Sequence, residues 1–559
     1  METRIELNKN IEFAQRKEMN FTRELTNDIV LPDYCDDINR IIRVDAKPVI
    51  KNKYANRDTA RLNGIVAVSV VYISDPHKQL RTFTFSSDFD HSLDMSGLMS
   101  EHRLSVAMEI GEVNCRLLNP RKMTLRIEFG INVKSSEAKT NFGRAIGMGM
   151  SSFEDVDFNN LGSLGDLNEP IEREREAGGL SALNGVSAHE GIQVEKLKRV
   201  FEICDTLCGD GEARIEDNIA ISGPAASEII YHDVCAVVEE VKAFDGKAAV
   251  KFTTEVKLLY SSIEDRNEYI TITKSIAGTH IIDIDGLGED YQCTAKAILS
   301  SFKSEIDLDE YGDNKIVNVD FTLQIDVSAY KNDETEVVVD AYATKFENSV
   351  HNEMVKISRF RGIYRDTQKI EDSIELEDAL LSMEEVMDIA GIIVTNSVTV
   401  GGENGAAVIT SESSAELSIM VRGGGEIREI QEIACSIPLK SEVKTDDRIT
   451  DGSADVIGQI TAVEAFIDTG KLTVRATVTH EYAVFESEVC NMARALIIDP
   501  EIVKTGKKDV QMTIYYPNKT ESLWSVAKRY DSQVSKIMKY NKLESSNISD
   551  RKILIIPRV

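Results

Sequence analysis

A strand-forming alternation of apolar and polar residues recurs three times along this chain, each time in the company of the same two neighbours. The alternating runs are Val68, Val70 and Tyr72, then Val256, Leu258 and Tyr260, then Leu417, Ile419 and Val421. Before each stands a short charged-apolar phrase: Arg40-Ile41-Ile42, Glu228-Ile229-Ile230 and Glu385-Val386-Met387. After each comes a lysine-led alternating run, starting at Lys122, Lys315 and Lys471. The second and third copies also share an opening, Arg214-Ile-Glu-Asp-Asn-Ile219 and Lys369-Ile-Glu-Asp-Ser-Ile374. Period two sends successive side chains to opposite faces, so each run predicts a strand with one face on a core. Matching order at matching spacing marks an internal repeat of mainly antiparallel β units. The expected fold class is mainly β, with repeated antiparallel, sandwich-like units followed by a small α/β C-terminal domain. The expected boundaries are 1–138 for the first unit with an N-terminal extension, 139–195 for a linker or insertion, 196–346 and 347–508 for the second and third units, and 509–559 for the last domain.

The 139–195 segment stands apart because it is rich in Gly, Ser, Asn and acidic residues and keeps no period. Its Gly147-Met-Gly149 is not a phosphate cradle, since the third glycine and the preceding strand of a dinucleotide site are missing.

The C-terminal fifty or so residues change period. Met512 to Tyr516 alternates, and Ile553 to Ile556 is an apolar run stopped by Pro557, so both predict strands. Between them, Leu523, Val526, Ala527 and Tyr530 fall at helical spacing, as do Val534, Ile537, Met538 and Asn541, with Ser532 as the expected N-cap of the second helix. This strand-helix-helix-strand unit resembles the LysM domain through Leu523-Trp524, Val526-Ala527, Asn541, Leu543 and the closing Ile-Ile-Pro. The resemblance implies binding of chitin or peptidoglycan, but the loops depart from it. Thr520-Glu521-Ser522 stands where the family carries Gly-Asp-Thr, and Arg551-Lys552 where it carries Gly-Gln. Loss of glycine removes backbone freedom and close approach to a ligand. The expected binding residues, for a protein partner in place of sugar, are therefore Thr520, Glu521, Ser522, Trp524, Lys528, Asn541, Arg551 and Lys552. Trp524, the sole tryptophan, fits either the small core or an interface anchor.

Charge separates this segment from the rest. Met512 to Val559 holds nine Lys and Arg against four Asp and Glu, a net +5, on a remainder of −35. Such a module is expected to meet an acidic surface, or to present a solvated basic face. The acidic body and the lack of a basic-aromatic reader motif argue against nucleic acid. No run of about eighteen apolar residues predicts a membrane-spanning helix, and the first ten residues do not form a secretory signal. The eight cysteines are scattered apart from Cys204 and Cys208, which have no second metal-spaced pair, and are expected to be reduced thiols. There is no P-loop, Gly-x-Ser-x-Gly elbow or His-Glu-x-x-His helix, and the eight histidines are dispersed, so neither a catalytic site, a metal nor a cofactor is expected.

One further phrase carries a resemblance: Asp28-Ile-Val-Leu-Pro-Asp33, Asp36-Asp37-Ile38 and Arg40-Ile41-Ile42 are similar to the opening of the SPOCS domain. The second unit has Ile221-Ser-Gly-Pro224 at the place of Leu31-Pro-Asp33. Repeated SPOCS-like units before a LysM domain resemble the spore-coat morphogenetic proteins of endospore formers. That resemblance implies a non-enzymatic scaffold in the mother-cell cytoplasm, recruited to the forespore surface. Its expected partners are the basement-layer ATPase of the coat (SpoIVA-like) and other coat proteins. The alternative is a LysM protein of the cell wall that binds peptidoglycan or chitin.

Overall fold

The structure, a computed structural model, describes residues 2–8, 17–75, 77–99, 102–137, 192–377, 380–402, 405–424, 429–504, 511–549 and 551–557. The segment expected as a linker lies outside the described residues as far as 191.

After a short strand β1 (Thr3–Glu6), the chain builds the same six-stranded unit three times. The first has β2 (Lys17–Val30), β3 (Asp37–Asn56), β4 (Thr59–Asp75), β5 (Leu80–Asp94), β6 (His102–Asn119) and β7 (Lys122–Glu137). The second has β8 (Val194–Ala220), β9 (Ala226–Phe244), β10 (Lys247–Ser262), β11 (Tyr269–Asp283), β12 (Gln292–Leu308) and β13 (Asn314–Ala343). The third has β14 (Phe346–Glu375), β15 (Met383–Gly401), β16 (Val408–Gly423), β17 (Ile430–Lys444), β18 (Gly452–Asp468) and β19 (Lys471–Val503). In the first two units, strands two, three and four form one antiparallel sheet, while the last strand lies between the first and the fifth in another; the third unit keeps these pairings, but β15 also pairs with β18 at Val400–Gly452, which joins its strands and β1 in one sheet. The alternating runs read from sequence are the core-facing rows of β4, β10 and β16, and the lysine-led runs lie in β7, β13 and β19. Equivalent turns hold equivalent bonds: the amides of Leu31, Ile221 and Leu376 donate to the carbonyls of Arg121, Lys315 and Gly470 at 2.8, 2.8 and 3.0 Å.

The charged-apolar phrases explain how the units meet. Ile42, Ile230 and Met387 each sit at a register shift where the strand carries one residue more than its partner. A bulge of this kind re-aims a side chain. Here it turns all three toward one shared apolar centre, completed by Val71 and Leu80, Leu259 and Tyr269, and Met420 and Ile430. The next residue in each copy is also drawn in. Arg43, 1% exposed, donates to Asp388 at 2.6 Å, to Glu432 at 3.1 Å and to the Ser418 carbonyl at 2.7 Å, with its guanidinium over the Tyr231 ring. Contacts run head to tail around this centre. Arg81 of β5 pairs with Glu228 of β9, Thr271 of β11 donates to the Met387 carbonyl in β15, and Arg40 of β3 donates to Glu429 and to the Ile430 carbonyl of β17. A heterologous contact repeated in this way closes a ring.

Four strands run on past the sandwiches. The β8–β13 ladder extends to Val194 opposite Ala343, and the β14–β19 ladder to Phe346 opposite Val503. The two extensions pack on each other through Phe201, Val337, Val355, Ile357, Cys490 and Met492, forming a stem. The N-terminal strand belongs to this stem, because β1 pairs with β19 from Thr3 opposite Ile498 to Glu6 opposite Ala495. Asn8, in the left-handed region at φ 53°, donates to the carbonyls of Val338 (2.8 Å) and Ala493 (2.9 Å) and accepts the Val338 amide (2.9 Å). It thereby stitches β13 to β19.

Beyond the stem lies the C-terminal module, with β20 (Met512–Tyr515), α1 (Leu523–Arg529), α2 (Val534–Asn541) and β21 (Leu554–Pro557). The two strands pair antiparallel, and both helices bury their apolar stripe beneath them. Ser522 caps α1 by accepting the Ser525 amide at 3.1 Å. Ser532, expected to cap α2, does not do so. It is buried, its hydroxyl donates to the Pro557 carbonyl, and Gln533 takes the cap position without a side-chain bond.

Candidate functional site

The module's own side chains do three different jobs, and the residues expected to bind a partner divide among them. Glu521, Ser522 and Asn541 shape the module. Glu521 accepts from the Tyr515 hydroxyl (2.6 Å), the Asn518 amide (3.0 Å) and Arg529 (2.9 Å), fixing the loop between β20 and α1. The Tyr515 hydrogen bond holds the Glu521 carboxyl below its usual range, and the same bond pushes the Tyr515 hydroxyl up. Asn541 ties the end of α2 to the final strand, donating to the Ile537 and Ile555 carbonyls at 2.8 and 2.6 Å and accepting the Ile555 amide at 2.7 Å.

Trp524 and Lys528 face inward, to the stem. One turn apart on α1, they meet the same carboxylate: Trp524 Nε1 donates to Asp340 Oδ2 at 2.8 Å, and Lys528 Nζ reaches Asp340 Oδ1 and Oδ2 at 2.7 and 2.8 Å. Tyr342, two residues along β13, enters the module's apolar core and is 1% exposed. Its ring stands edge-on to Trp524 at 4.9 Å, and its hydroxyl donates to the Ser532 carbonyl at 2.6 Å. Lys504 pairs with Asp531 at 2.6 Å. Buried Glu195 of β8 lies against Gln533 and Val534 at the start of α2, where Gln533 takes the cap position without a side-chain bond. Burial pushes the Glu195 carboxyl above its usual range. Sequence offered two roles for Trp524, module core or partner anchor. The structure shows it anchoring the module to its own chain. Asp340 had no local signature to betray it, lying in an acidic, strand-forming stretch like many others.

Thr520, Arg551 and Lys552 stay exposed. With Lys528 paired to Asp340 and exposed Arg529 paired to Glu521, the other exposed charges of the described module are Lys519, Lys539, Lys542, Arg551 and Lys552 against Glu544. The module therefore presents a basic surface on an acidic body, an arrangement suited to an acidic partner. Elsewhere, Cys204 and Cys208 line a cavity of about 180 Å³ walled by all three units, including Lys134, Asp326 and Asp455. Among the described residues no group of three His, Cys, Asp or Glu is placed to hold a metal ion, and no helix is long and apolar enough to cross a membrane.

Comparison with known proteins places these parts. Residues 37–118, which run from β3 through most of β6, match the SipL, SPOCS domain family, and residues 518–557 match the LysM domain family. No curated protein and no solved structure matches the chain. Both matched families are non-catalytic binding domains, and together they fit a sporulation-related protein of peptidoglycan-binding type. With both domains in this order, the chain is SipL-like.

Proposed function

We propose that this SipL-like chain is a non-enzymatic morphogenetic scaffold of the spore coat. Its LysM module would bind the coat's basement-layer ATPase (SpoIVA-like) in the mother cell and so localise and encase the coat around the forespore. The observation that carries the reading is the module's exposed basic surface, packed at the end of the stem on an acidic body. The loops that resemble a sugar groove carry side chains in place of glycines, which favours a protein surface over a glycan. The ring of sandwich units supplies further faces for coat proteins, and several modest contacts on one chain raise its effective concentration at a surface.

Capture of the full chain by the immobilised ATPase, against insoluble peptidoglycan, tests this. Reversing Arg551 and Lys552 to Glu is expected to weaken ATPase capture by about tenfold, more at low salt than at high salt. Lys528 is left unchanged because a reversed charge there would face Asp340 and unseat the module. Undiminished capture by the double reversal overturns the electrostatic part of the proposal. The LysM match itself favours a second reading, a peptidoglycan- or chitin-binding protein, and retention on peptidoglycan without ATPase capture would support it.

A further inference from the structure

We propose that the open edge of β20 is a docking site for an extended, acidic segment of a partner protein, which adds there as a third strand. This rests on the module's being a protein-binding one. It goes further in naming the surface and the chemistry of what binds.

The two edges of the module's sheet differ. Along β21, the amide and carbonyl of Ile555 point away from β20 and are both taken by the Asn541 side chain. That edge is closed. Opposite residues in an antiparallel pair alternate between exchanging both backbone bonds and exchanging neither. Ile514 lies opposite Ile555, so this pair exchanges none, and the Ile514 amide and carbonyl point outward from β20. Among the described residues β20 pairs with β21 alone. Proteins usually blunt such an edge with a charge, a proline or a bulge. Met512-Thr-Ile-Tyr515 carries none of these.

The sheet's outer face is apolar as well. Ile514 is 65% exposed beside Ile555, Tyr516 is 68% exposed, and Met512 and Ile553 are about half exposed. The inner face, by contrast, buries Leu554 and Ile556 on the helices. A strand added at an edge gains main-chain bonds from the edge and specificity from alternate side chains laid over the face. Charge sets the rest. Lys519 stands just beyond β20, Arg551 and Lys552 lead into β21, and Lys542 follows Asn541. Lys519, Arg551 and Lys552 thus cluster at the Tyr515–Leu554 end of the sheet, where an acidic partner strand finds complementary charge.

The probe is a labelled octapeptide of alternating glutamate and valine, with a lysine–valine octapeptide as its counterpart, titrated against the full chain by fluorescence anisotropy. The acidic peptide is expected to bind and the basic one not, with slowed amide exchange at Ile514. Ile514→Pro removes the outward amide but keeps the inward bonds of Thr513 and Tyr515, and is expected to weaken binding at least about tenfold. Ile514→Glu keeps the backbone, sets a repelling charge on the edge, is expected to weaken binding of the acidic peptide likewise, and serves if the proline variant fails to fold, as judged by Trp524 emission. No acidic-peptide binding at millimolar concentration, or equal binding by the wild type and both variants, overturns the proposal. Peptide binding without ATPase capture sinks the ATPase reading alone. ATPase capture that ignores both Ile514 variants, with no peptide bound, sinks the edge alone.

Discussion

Removing the Asp340 carboxylate should release the module from the stem, and the chain carries its own reporter for that event. Trp524 is the sole tryptophan, so its emission reports the seat and nothing else. In Asp340→Ala, the indole N–H loses its acceptor at 2.8 Å and Lys528 loses both of its contacts. A hydrogen bond to a charged group contributes about 1.5–3 kcal/mol when shielded. The Lys528 side chain is 41% exposed and that of Asp340 25% exposed, so solvent screens the ion pair and the indole bond dominates. Roughly 2 kcal/mol remains, about a thirtyfold fall in the docking equilibrium. Tyr342→Phe should cost less, about 1 kcal/mol for the hydroxyl bond to Ser532, whereas Tyr342→Ala leaves a cavity in the shared core and should cost about 3–5 kcal/mol. Urea titration followed by Trp524 emission and by far-ultraviolet dichroism separates the seat from the β body. In Asp340→Ala the emission should redden and open to iodide at lower urea, while the dichroism midpoint holds. Coincident, unshifted transitions in both Asp340→Ala and Tyr342→Ala would refute the reasoning, because the module would then be held by something else.

Other consequences are equally open to measurement. Arg43→Met leaves Asp388 buried without its cation and should destabilise the ring by about 3–5 kcal/mol, and Asp388→Leu should do likewise, yet the double substitution should recover most of the loss in a urea double-mutant cycle. His232, stacked on Phe302 at 4.1 Å, has its pKa lowered from 6.5 to about 4 by burial and by Lys47. The folded ring therefore binds fewer protons than the unfolded one, and stability should fall as pH drops from about 6.5 to about 4; His232→Phe should flatten that slope in urea midpoints taken across the range. Burial pushes the thiols of Cys115 and Cys293 up to about 11, so at pH 8 both should alkylate about two orders of magnitude more slowly than a free thiol, as peptide mass mapping would show.

The sandwich faces were legible because their information is local: Val68 to Tyr72, Val256 to Tyr260 and Leu417 to Val421 each announce a strand and a buried side within a few residues. The module was legible for the same reason, since Leu523, Val526 and Ile537 fix its helices. What joins these pieces was not. The phrases around Ile42, Ile230 and Met387 were visible as a recurrence, but a bulge breaks the period that would have explained it, and the centre they form brings together positions hundreds of residues apart. The crossing of β1 to the third unit and the pairing of Trp524 with Asp340 are also long-range contacts without a local pattern. Ser532 failed as a cap for a related reason. A buried serine takes whichever acceptor its surroundings offer, and here Pro557 was nearer.

The centre of the ring also shows what a single chain gains over three identical subunits. In a symmetric trimer one residue type would meet itself at the axis. Three arginines there would repel and three aspartates would be buried without a cation, so an identical trimer would be confined to apolar side chains. Covalent linkage lets the three copies differ. The positions after Ile42, Ile230 and Met387 are Arg43, Tyr231 and Asp388, a cation, an aromatic ring and an anion that satisfy one another. Each is wrong in either of the other copies, which fixes the order of the units around the ring as well as their number. A buried ion pair used this way adds little net stability over a well-packed apolar centre, but a misassembled ring would strand a charge and lose several kcal/mol. The repeat is thus regular where each unit folds alone and irregular only where the three must recognise one another.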